Sequence, residues 1–564
     1  MTSRPTRGSA GPSLTRVRAA YRRNAEADRP EIWIDLRPQA DAEADAAGID
    51  ARVAAGERLP LAGTVLAVKG NIDTAGLPTT AGCPAYAYHP DRDAPAVARL
   101  RAAGAVVLGT TNLDQFATGL VGTRSPYGAV RNSVDPLRIS GGSSSGSALA
   151  VALGIADLAL GTDTAGSGRV PAALNGIVGL KPTPGSVPTE GVVPACRSLD
   201  CVSVFARTLP EAELAHSLLA DRTPPPSRHP VPWRVAVPAP EQLGELDPGW
   251  DKAWSETVDR LAAAGAELQP VDLTPFDRTA ALLYQGAFVA ERYTAVGAFV
   301  EAHRGEPGLD PTVAAIITAA RDIPAHRLFA DREELQRLHG AAMEQLGDAD
   351  ALLLPTVPGH PTLAEVAADP VGANARLGRF TNSTNLLGLC ALAVPAGTVA
   401  GLPFGAMLVG RPHTEAGLGA VARLLDPRPR TVRLAVVGAH LSGQPLNGQL
   451  LTLGARLAAT TATAPQYRLH RLPTTPAKPG LVRVAEDGAA VEAEVWELPP
   501  EGLGRLLAAL PEPMALGRVR LADGESVTGF LCEPAALHGA PDITAFGGWR
   551  AYLAAEADSA ANHS

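Results

Sequence analysis

The amino-acid sequence predicts an α/β fold that is followed by a smaller α+β domain. In the first part of the chain, residues 63–68 are predicted as a strand, 95–104 as a helix and 105–109 as a second buried strand. This alternation is typical of a sheet that is covered by helices. After residue 430 the pattern changes to short strands with few helices, which indicates a separate domain.

Segments rich in proline, polar or charged residues set the predicted boundaries. A proline-rich segment at 221–232 is expected to be a linker inside the first domain, and a charged, proline-rich segment at 426–430 is expected to separate the two domains. The predicted regions are a disordered N-terminus at 1–12, a first domain at 13–425, a second domain at 430–553 and a disordered tail at 554–564.

Length, composition and charge restrict the class of protein. With 564 residues, the chain is long enough for two or more domains. Hydrophobic residues at 46% and charged residues at 19% are ordinary for a soluble, well-packed enzyme. A net charge of −9 argues against nucleic acid or an anionic membrane as a partner. It does not exclude an anionic substrate, since a substrate needs only local positive charge.

The cysteines and the absence of certain motifs predict a cytoplasmic enzyme without a metal or another cofactor. The five cysteines include no CxxC pair, which is typical of reduced thiols. There is no HExxH motif and no cluster of cysteine and histidine. The N-terminus lacks the apolar segment of a signal peptide, and no apolar run is long enough to span a membrane.

Two glycine-rich loops that contain serine flank an apolar run between Ile139 and Pro184. The first is GGSSSGS at 141–147, and the second is GTDTAGSGR at 161–169. Glycines allow backbone N–H groups to come close to a ligand. A serine among such groups is placed to act as a nucleophile beside its own oxyanion site.

A serine nucleophile needs a base, and the sequence offers one upstream. The segment VLAVKG is predicted as a buried strand that ends on Lys69. Burial lowers the pKa of a lysine because it disfavours the charged form. A neutral amine can accept the proton of a hydroxyl group, and Ser–Lys pairs are a known variant of the catalytic triad.

These motifs resemble the amidase signature family over residues 14–425. The matching segments are VKGNID around Lys69, GGSSSGS, GTDTAGSGRVP and GLKPT. The resemblance implies a three-layer α/β/α core with a mixed sheet. It also implies that Ser167 is the nucleophile, Lys69 the general base and Ser143 a bridging serine on a cis peptide bond. The implied oxyanion hole consists of the N–H groups of Thr164, Ala165, Gly166 and Ser167.

Other interpretations of the same loops remain open at this stage. Glycine- and serine-rich stretches are often plain loops, and the GxSxG pattern at 142–146 also fits the nucleophile elbow of α/β-hydrolases. That elbow requires a preceding strand, and residues 132–138 form a poor one because they contain a proline. A phosphate-binding loop is excluded, since neither loop ends in Gly-Lys-Ser/Thr. A catalytically inactive binding module is a further alternative.

Two more segments and the second domain resemble the allophanate hydrolases within this family. The segments are TEGVVPACRSLD at 189–200 and LYQGAFVAERY at 283–293, the latter in a predicted helix at 277–302. The resemblance implies that Tyr284 and Arg292 hold a small anionic amide, and an arginine can bind a carboxylate in a bidentate manner. It also implies a γ-glutamylcyclotransferase-like second domain, a homodimer, and a link to a urea carboxylase in urea degradation.

The alternatives for the substrate are a general amidase, which acts on malonamate-like or aryl amides, and the amidotransferase subunit that amidates glutamyl-tRNA. Arg292 can also be interpreted as a solvated helix residue with a partner on the surface. The substrate that we expect is allophanate, which is converted to ammonia and carbon dioxide.

The second domain contains one candidate site. His440 is predicted to lie where the chain leaves a strand, followed by a glycine-bearing turn that ends at Asn447. Histidine titrates near neutral pH, so it can exchange a proton during breakdown of an N-carboxycarbamate product. The motif resembles the corresponding turn of allophanate hydrolases, and Asn447 is expected to orient the substrate. The alternative is a structural histidine that is bonded to a nearby carbonyl group.

Overall fold

The computed structural model describes residues 11–221, 232–425, 431–475 and 477–561. The chain divides into two compact units, which consist of residues 1–427 and 428–564. Most of the predicted disordered N-terminus, most of the linker predicted at 221–232 and the boundary predicted at 426–430 lie outside the described residues. None of the described helices is both long enough and apolar enough to cross a membrane.

The first unit is built on a mixed sheet of eleven strands in the described part of the chain, in the order β1-β3-β2-β4-β6-β5-β10-β11-β9-β7-β8. Its strands are β1 Trp33–Leu36, β2 Val65–Lys69, β3 Val106–Thr111, β4 Leu158–Asp163, β5 Val178–Lys181, β6 Cys201–Ala206, β7 Arg234–Pro238, β8 Glu267–Val271, β9 Ala351–Pro355, β10 Cys390–Val399 and β11 Leu402–Gly410. Its helices are α1 Pro12–Ala27, α2 Gln39–Ala54, α3 Pro95–Ala102, α4 Ser145–Ala152, α5 Val170–Leu174, α6 Leu209–Leu219, α7 Trp250–Ala263, α8 Thr274–Gln285, α9 Ala290–Ala302, α10 Pro311–Ala319, α11 Ala325–Leu346, α12 Leu363–Ala368, α13 Gly372–Leu377, α14 Asn382–Leu386 and α15 Glu415–Leu425.

Strand β2 shows why the core has three layers. All of its residues are buried, and successive side chains of a strand point to opposite faces of the sheet. Leu66 and Val68 belong to one hydrophobic cluster, together with residues of α3 and α6. Val65 and Ala67 belong to another cluster, together with residues of α1, α2 and α4. Helices therefore cover both faces of the sheet, which confirms the predicted α/β/α core.

The direction of the strands brings Lys69 and the segment that contains Ser167 to one edge of the sheet. Strand β2 runs parallel to β3 on one side and to β4 on the other. The carboxyl ends of β2 and β4 therefore lie side by side. Lys69 is the last residue of β2, and the segment that contains Ser167 leaves the end of β4. Binding sites of parallel sheets form at this edge, where the strands end.

The prediction of a single helix at 277–302 is wrong, because the structure has two helices in this segment. Helix α8 ends at Gln285, a short 3₁₀ turn spans residues 287–289, and α9 begins at Ala290. Gly286 interrupts the helix with an extended backbone, at φ −100° and ψ −169°. A Cβ atom at residue 286 would lie 2.5 Å from the carbonyl oxygen of Leu282 and 2.7 Å from Asp331 Oδ2, so this close approach requires a glycine. Tyr284 and Arg292 consequently lie on different helices.

The second unit has the predicted α+β character. Its main sheet has five strands in the described residues, in the order β13-β16-β12-β18-β17, and β14 and β15 form a separate pair. The elements are β12 Val432–Val436, α16 Asn447–Thr452, β13 Arg456–Ala462, β14 Tyr467–Leu472, β15 Lys478–Arg483, β16 Glu492–Leu498, α17 Pro500–Ala508, β17 Met514–Arg520, β18 Ser526–Cys532 and α18 Trp549–Ala561.

Helix α18 corrects the disordered tail that was predicted from residue 554. The helix continues to Ala561, and its first turn is firmly attached to the unit. Trp549 is buried, and Arg550 forms ion pairs with Glu492 at 2.5 Å and with Glu494 at 2.7 Å. A helix that is anchored at its N-terminal turn can propagate through a polar, alanine-rich sequence, because each further residue adds a hydrogen bond.

Candidate active site

Lys69 is completely buried and contacts two hydroxyl groups. Its Nζ atom donates hydrogen bonds to Ser143 Oγ at 2.8 Å and to Thr162 Oγ1 at 2.7 Å. Burial lowers the pKa of Lys69 to about 7, against the opposing charges of Asp114, Asp200 and Asp163. A large fraction of this amine is therefore neutral near neutral pH, and a neutral amine can accept a proton from Ser143.

The loop that carries Ser143 is fixed by its own serines. The peptide bond between Gly142 and Ser143 is cis, as the resemblance implies. Ser144 Oγ donates to the carbonyl of Thr162 at 3.1 Å, and Ser147 Oγ donates to the carbonyl of Leu160 at 3.0 Å. These hydroxyl groups attach the loop and the first turn of α4 to strand β4. Ser143, in contrast, directs its hydroxyl group to Lys69.

Ser167 lies in a turn that is wrapped around a carboxylate. Asp163 accepts hydrogen bonds from the N–H groups of Gly166 and Gly168, both at 2.9 Å. It also forms a fully buried ion pair with Arg169, whose Nε and Nη2 atoms each lie 2.9 Å from a carboxylate oxygen. Although burial alone would raise the pKa of Asp163, the charge of Arg169 holds it below the usual value. Ser167 itself is 2% exposed.

The same turn changes the predicted oxyanion hole. Because the N–H group of Gly166 donates to Asp163, it is committed to the turn and is removed from the predicted set of donors. The set then consists of the N–H groups of Thr164, Ala165 and Ser167. The turn is held from two further sides. Thr164 Oγ1 donates to Asp200 at 2.5 Å, and the carbonyl of Ala165 accepts a hydrogen bond from Thr381 at 2.7 Å.

Arg292 is buried, which is contrary to the alternative of a solvated surface residue. Only 2% of it is exposed. Its Nη1 atom donates to Thr118 Oγ1 at 2.8 Å, and its Nη2 atom donates to the hydroxyl of Tyr284 at 3.1 Å. The guanidinium also lies over the Tyr284 ring, 5.5 Å from the centroid. Tyr284 and Arg292 thus meet as predicted, although they lie on two helices rather than one.

The charge of Arg292 has no carboxylate partner in the described residues, because no Asp or Glu oxygen there lies within 4 Å of its guanidinium nitrogens. Its Nε atom also lacks a hydrogen-bond partner. Burial alone would lower the pKa of Arg292, but Tyr284, Cys196 and Asp200 raise it above the usual value, so the group stays charged. Its charge also acts on Lys69 and lowers the pKa of that amine, so the two cations share one electrostatic environment.

Sequence reasoning missed four residues that hold the site together: Thr162, Asp163, Arg169 and Asp200. Asp163 and Arg169 lie inside the motif GTDTAGSGR, so an acid and a base flanking the predicted nucleophile were a detectable signal. Asp200 ends the motif TEGVVPACRSLD, and its carboxyl accepts hydrogen bonds from the N–H groups of Ala195 at 2.9 Å and Cys196 at 3.2 Å. Thr162 gave no such signal, because its role depends on the neighbouring strand.

The second unit contains a cavity of about 770 Å³ beside His440. The imidazole stacks on Phe530 at 4.7 Å between ring centroids, and its Nε2 atom lies 3.2 Å from Gln449 Oε1. Burial lowers the pKa of His440 below its usual value. Lys478 and Arg505 also line this cavity. His440 therefore lines the same cavity as these two cations, and its role in proton exchange stays a prediction.

Asn447 is bonded to the backbone of the turn that carries His440. Its Nδ2 atom donates to the carbonyl of His440 at 2.9 Å, and the residues that line the cavity include its neighbours Leu446 and Gly448 instead. The asparagine therefore closes the turn that carries His440. The backbone engages its Nδ2 atom, and the role of Asn447 in orienting a substrate stays a prediction.

The comparisons with known proteins agree with this arrangement. The Amidase family matches residues 16–418, and the allophanate hydrolase C-terminal domain matches residues 432–554. A curated relative, urea amidolyase from Lachancea kluyveri, is 42% identical over 88% of the chain, and the chain spans 30% of the length of that relative.

Solved structures extend the likeness to the fold of both units. The structure of Kluyveromyces lactis allophanate hydrolase is 40% identical, with a TM-score of 0.70, and the match covers 97% of each chain. The K. lactis urea amidolyase structure gives the same identity and TM-score, but the match covers only 36% of that longer chain. With its matching family, its fold and its buried lysine–serine pair, the chain belongs to the amidase family and carries a C-terminal domain of the allophanate hydrolase type.

Proposed function

We propose that the protein is an allophanate hydrolase, which converts allophanate to ammonia and carbon dioxide. The observation that carries this proposal is the buried guanidinium of Arg292, which pairs with a phenol and a hydroxyl instead of a carboxylate. A buried charge without a directly bonded counter-ion is unfavourable, so the site favours a ligand that brings a carboxylate. Allophanate carries one carboxylate and one terminal amide, which fits a carboxylate site beside a hydrolytic site.

Catalysis begins with the neutral amine of Lys69. It accepts the proton of Ser143, which in turn accepts the proton of Ser167 while Ser167 Oγ attacks the carbon of the terminal amide. The oxyanion forms beside the N–H groups of Thr164, Ala165 and Ser167, which stabilise it most in the transition state. The C–N bond then breaks, and the proton returns through Ser143 to the leaving nitrogen, so that ammonia departs.

Hydrolysis of the acyl-enzyme uses the same groups in reverse. Water gives a proton to the relay, adds to the acyl carbon and releases Ser167 with its proton restored. The product is N-carboxycarbamate, which has a carboxylate at each end. Its breakdown gives a second ammonia and two molecules of carbon dioxide, and each loss of carbon dioxide requires one proton at nitrogen.

The second unit is proposed to act on this product, with His440 as the residue that exchanges the proton. Its cavity is lined by Lys478 and Arg505, which suit a small dianion. The unit is assigned a γ-glutamylcyclotransferase-like fold as part of the same proposal. The protein is further proposed to work in the cytoplasm as a homodimer, with a urea carboxylase as the source of allophanate.

The first prediction concerns the nucleophile. Ser167→Ala should lower ammonia release from fresh allophanate to below roughly one percent of wild type, because the variant has no group to form the acyl-enzyme. Lys69→Ala should cause nearly the same loss, since members of a relay act as a unit. The control is Ser217→Ala, an exposed serine of α6. Activity of Ser167→Ala near the wild-type value would refute the assignment.

The second prediction concerns pH. Lys69 is charged below its pKa of about 7 and neutral above it, so kcat/KM should rise as the pH increases through about 7 and then level off. Propionamide is the appropriate substrate, because it does not titrate in this range. A profile that is flat from about pH 5 to about pH 9 would contradict a role for Lys69 as the base.

The third prediction concerns selectivity for an anion. Arg292→Gln should lower kcat/KM for allophanate by about 2–4 kcal/mol in transition-state free energy, because the substrate carboxylate loses its charged partner. Hydrolysis of propionamide should change far less. Arg327→Gln is the matched control, since that arginine of α11 has a side chain that is 59% exposed. Equal losses on both substrates would indicate a structural role for Arg292.

The fourth prediction separates the two half-reactions. His440→Ala should still release the first ammonia through Ser167, while N-carboxycarbamate persists longer than with wild type. Carbon NMR with labelled allophanate measures the intermediate directly, and a buffer sample gives its spontaneous decay. His538→Ala, at an exposed histidine of the same unit, is the control. Decay of the intermediate at the wild-type rate in His440→Ala would exclude His440 from this step.

A further inference from the structure

A second cavity of the first unit opens beside Tyr284. It has a volume of about 610 Å³ and extends from exposed residues such as Gln285 and Val371 to the buried side chains of Arg124 and Asn382. Tyr284 lines it, and the hydroxyl of Tyr284 is the group that accepts a hydrogen bond from Arg292. The cavity therefore reaches from solvent to the tyrosine that contacts Arg292.

Arg124 supplies a second positive charge without a direct carboxylate partner. It is 3% exposed, and its Nη1 and Nη2 atoms donate to the carbonyls of Thr118 at 3.0 Å and Pro370 at 2.6 Å. Within the described ranges, no carboxylate oxygen lies within 4 Å of the guanidinium, and its Nε atom has no hydrogen-bond partner. Arg379, which lines the same cavity, differs because it lies 3.6 Å from Asp277.

The two unpaired arginines meet at one residue. Thr118 accepts a hydrogen bond from Arg124 at its carbonyl and from Arg292 at its Oγ1 atom. The acidic group that acts on Arg124 is Asp114, whose Oδ1 atom accepts a hydrogen bond from the backbone N–H of Arg124. Burial raises the pKa of Asp114, which weakens its charge as a counter-ion. The inner end of the cavity is therefore positive.

Asn382 adds a polar atom that has no partner. The residue is 8% exposed, lines the cavity, and its Oδ1 atom has no hydrogen-bond partner among the described residues.

We propose that this cavity is the entrance for the substrate anion and that Arg124 is a specificity residue that attracts its carboxylate before Arg292 binds it. Positive charge in a narrow cavity raises the local concentration of an anion and its association rate, whereas a neutral amide gains nothing.

This inference rests on the proposed function, because it assigns the anion as the substrate of the same site. Three variants test the inference, and each of them lowers the net charge by the same amount. They are Arg124→Gln, Asn382→Asp and, as the control, Arg376→Gln. Arg376 belongs to the neighbouring helix α13, lies outside the cavity and pairs with Asp247 at 2.9 Å. The variant Asn382→Asp leaves the hydrogen bonds of Arg124 in place, so it decides the question if Arg124→Gln fails to fold.

The measurement is kcat/KM for allophanate and for propionamide at low and high ionic strength. Arg124→Gln and Asn382→Asp should each lower the value for allophanate by about tenfold or more at low salt, with a smaller loss at high salt. Propionamide should change by less than about twofold, and Arg376→Gln should behave as wild type on both substrates. Equal losses on the two substrates, or an unchanged value for allophanate in Asn382→Asp, would overturn the inference.

Binding of malonate, measured by calorimetry, separates this inference from the proposed function. If the wild-type enzyme does not hydrolyse allophanate, the proposed function fails, but the cavity can still be tested. Weaker malonate binding by Asn382→Asp, with unchanged binding by Arg376→Gln, would support an anion path. The same malonate affinity in all of the variants would refute it.

Discussion

The hydrogen bond from Lys69 to Ser143 is the interaction on which the rest of the site depends, because it requires an amine in an interior that excludes water. Burial favours the neutral amine, while three nearby carboxyl groups favour the charged one. The fold limits their effect. Asp163 is neutralised by Arg169, and burial raises the pKa values of Asp114 and Asp200. The resulting pKa of about 7 allows the lysine to exchange protons near neutral pH.

The hydrogen-bond partners of the buried arginines Arg169 and Arg292 determine the role of each side chain. Arg169 binds Asp163 with two nitrogens, and its remaining nitrogen bonds to Thr384 at 2.9 Å. All three nitrogens of the Arg169 guanidinium therefore have hydrogen-bond partners, and the side chain fixes the turn that contains Ser167. Arg292 is bonded to neutral acceptors, its Nε atom has no partner, and no carboxylate among the described residues is bonded to it directly. Under the proposed function, the same type of side chain stabilises the fold in one place and selects a ligand in the other.

The parts of the site that could be predicted are those in which neighbouring residues in the sequence carry the information. Lys69 ends an apolar strand, and Ser143 and Ser167 lie among glycines, so their surroundings are local. The sequence did not reveal which N–H groups are free, since the loss of Gly166 as a donor follows from the position of the Asp163 carboxylate. The helix break at Gly286 was also missed, because the chain there is held by Asp331 of a distant helix, which accepts a hydrogen bond from the N–H group of Ala287. The bond from Asn447 to the carbonyl of His440 was missed although it spans only seven residues.

The low pKa of His440 has a consequence for the proposed second step. A histidine that is neutral at neutral pH is a weak proton donor, and breakdown of N-carboxycarbamate requires a proton at nitrogen. A dianion that enters a cavity lined by Lys478 and Arg505 brings negative charge next to the imidazole. That charge raises the pKa of His440, because an adjacent anion favours the protonated ring. Under the proposed function, the intermediate itself would therefore raise the pKa of the histidine that donates the proton.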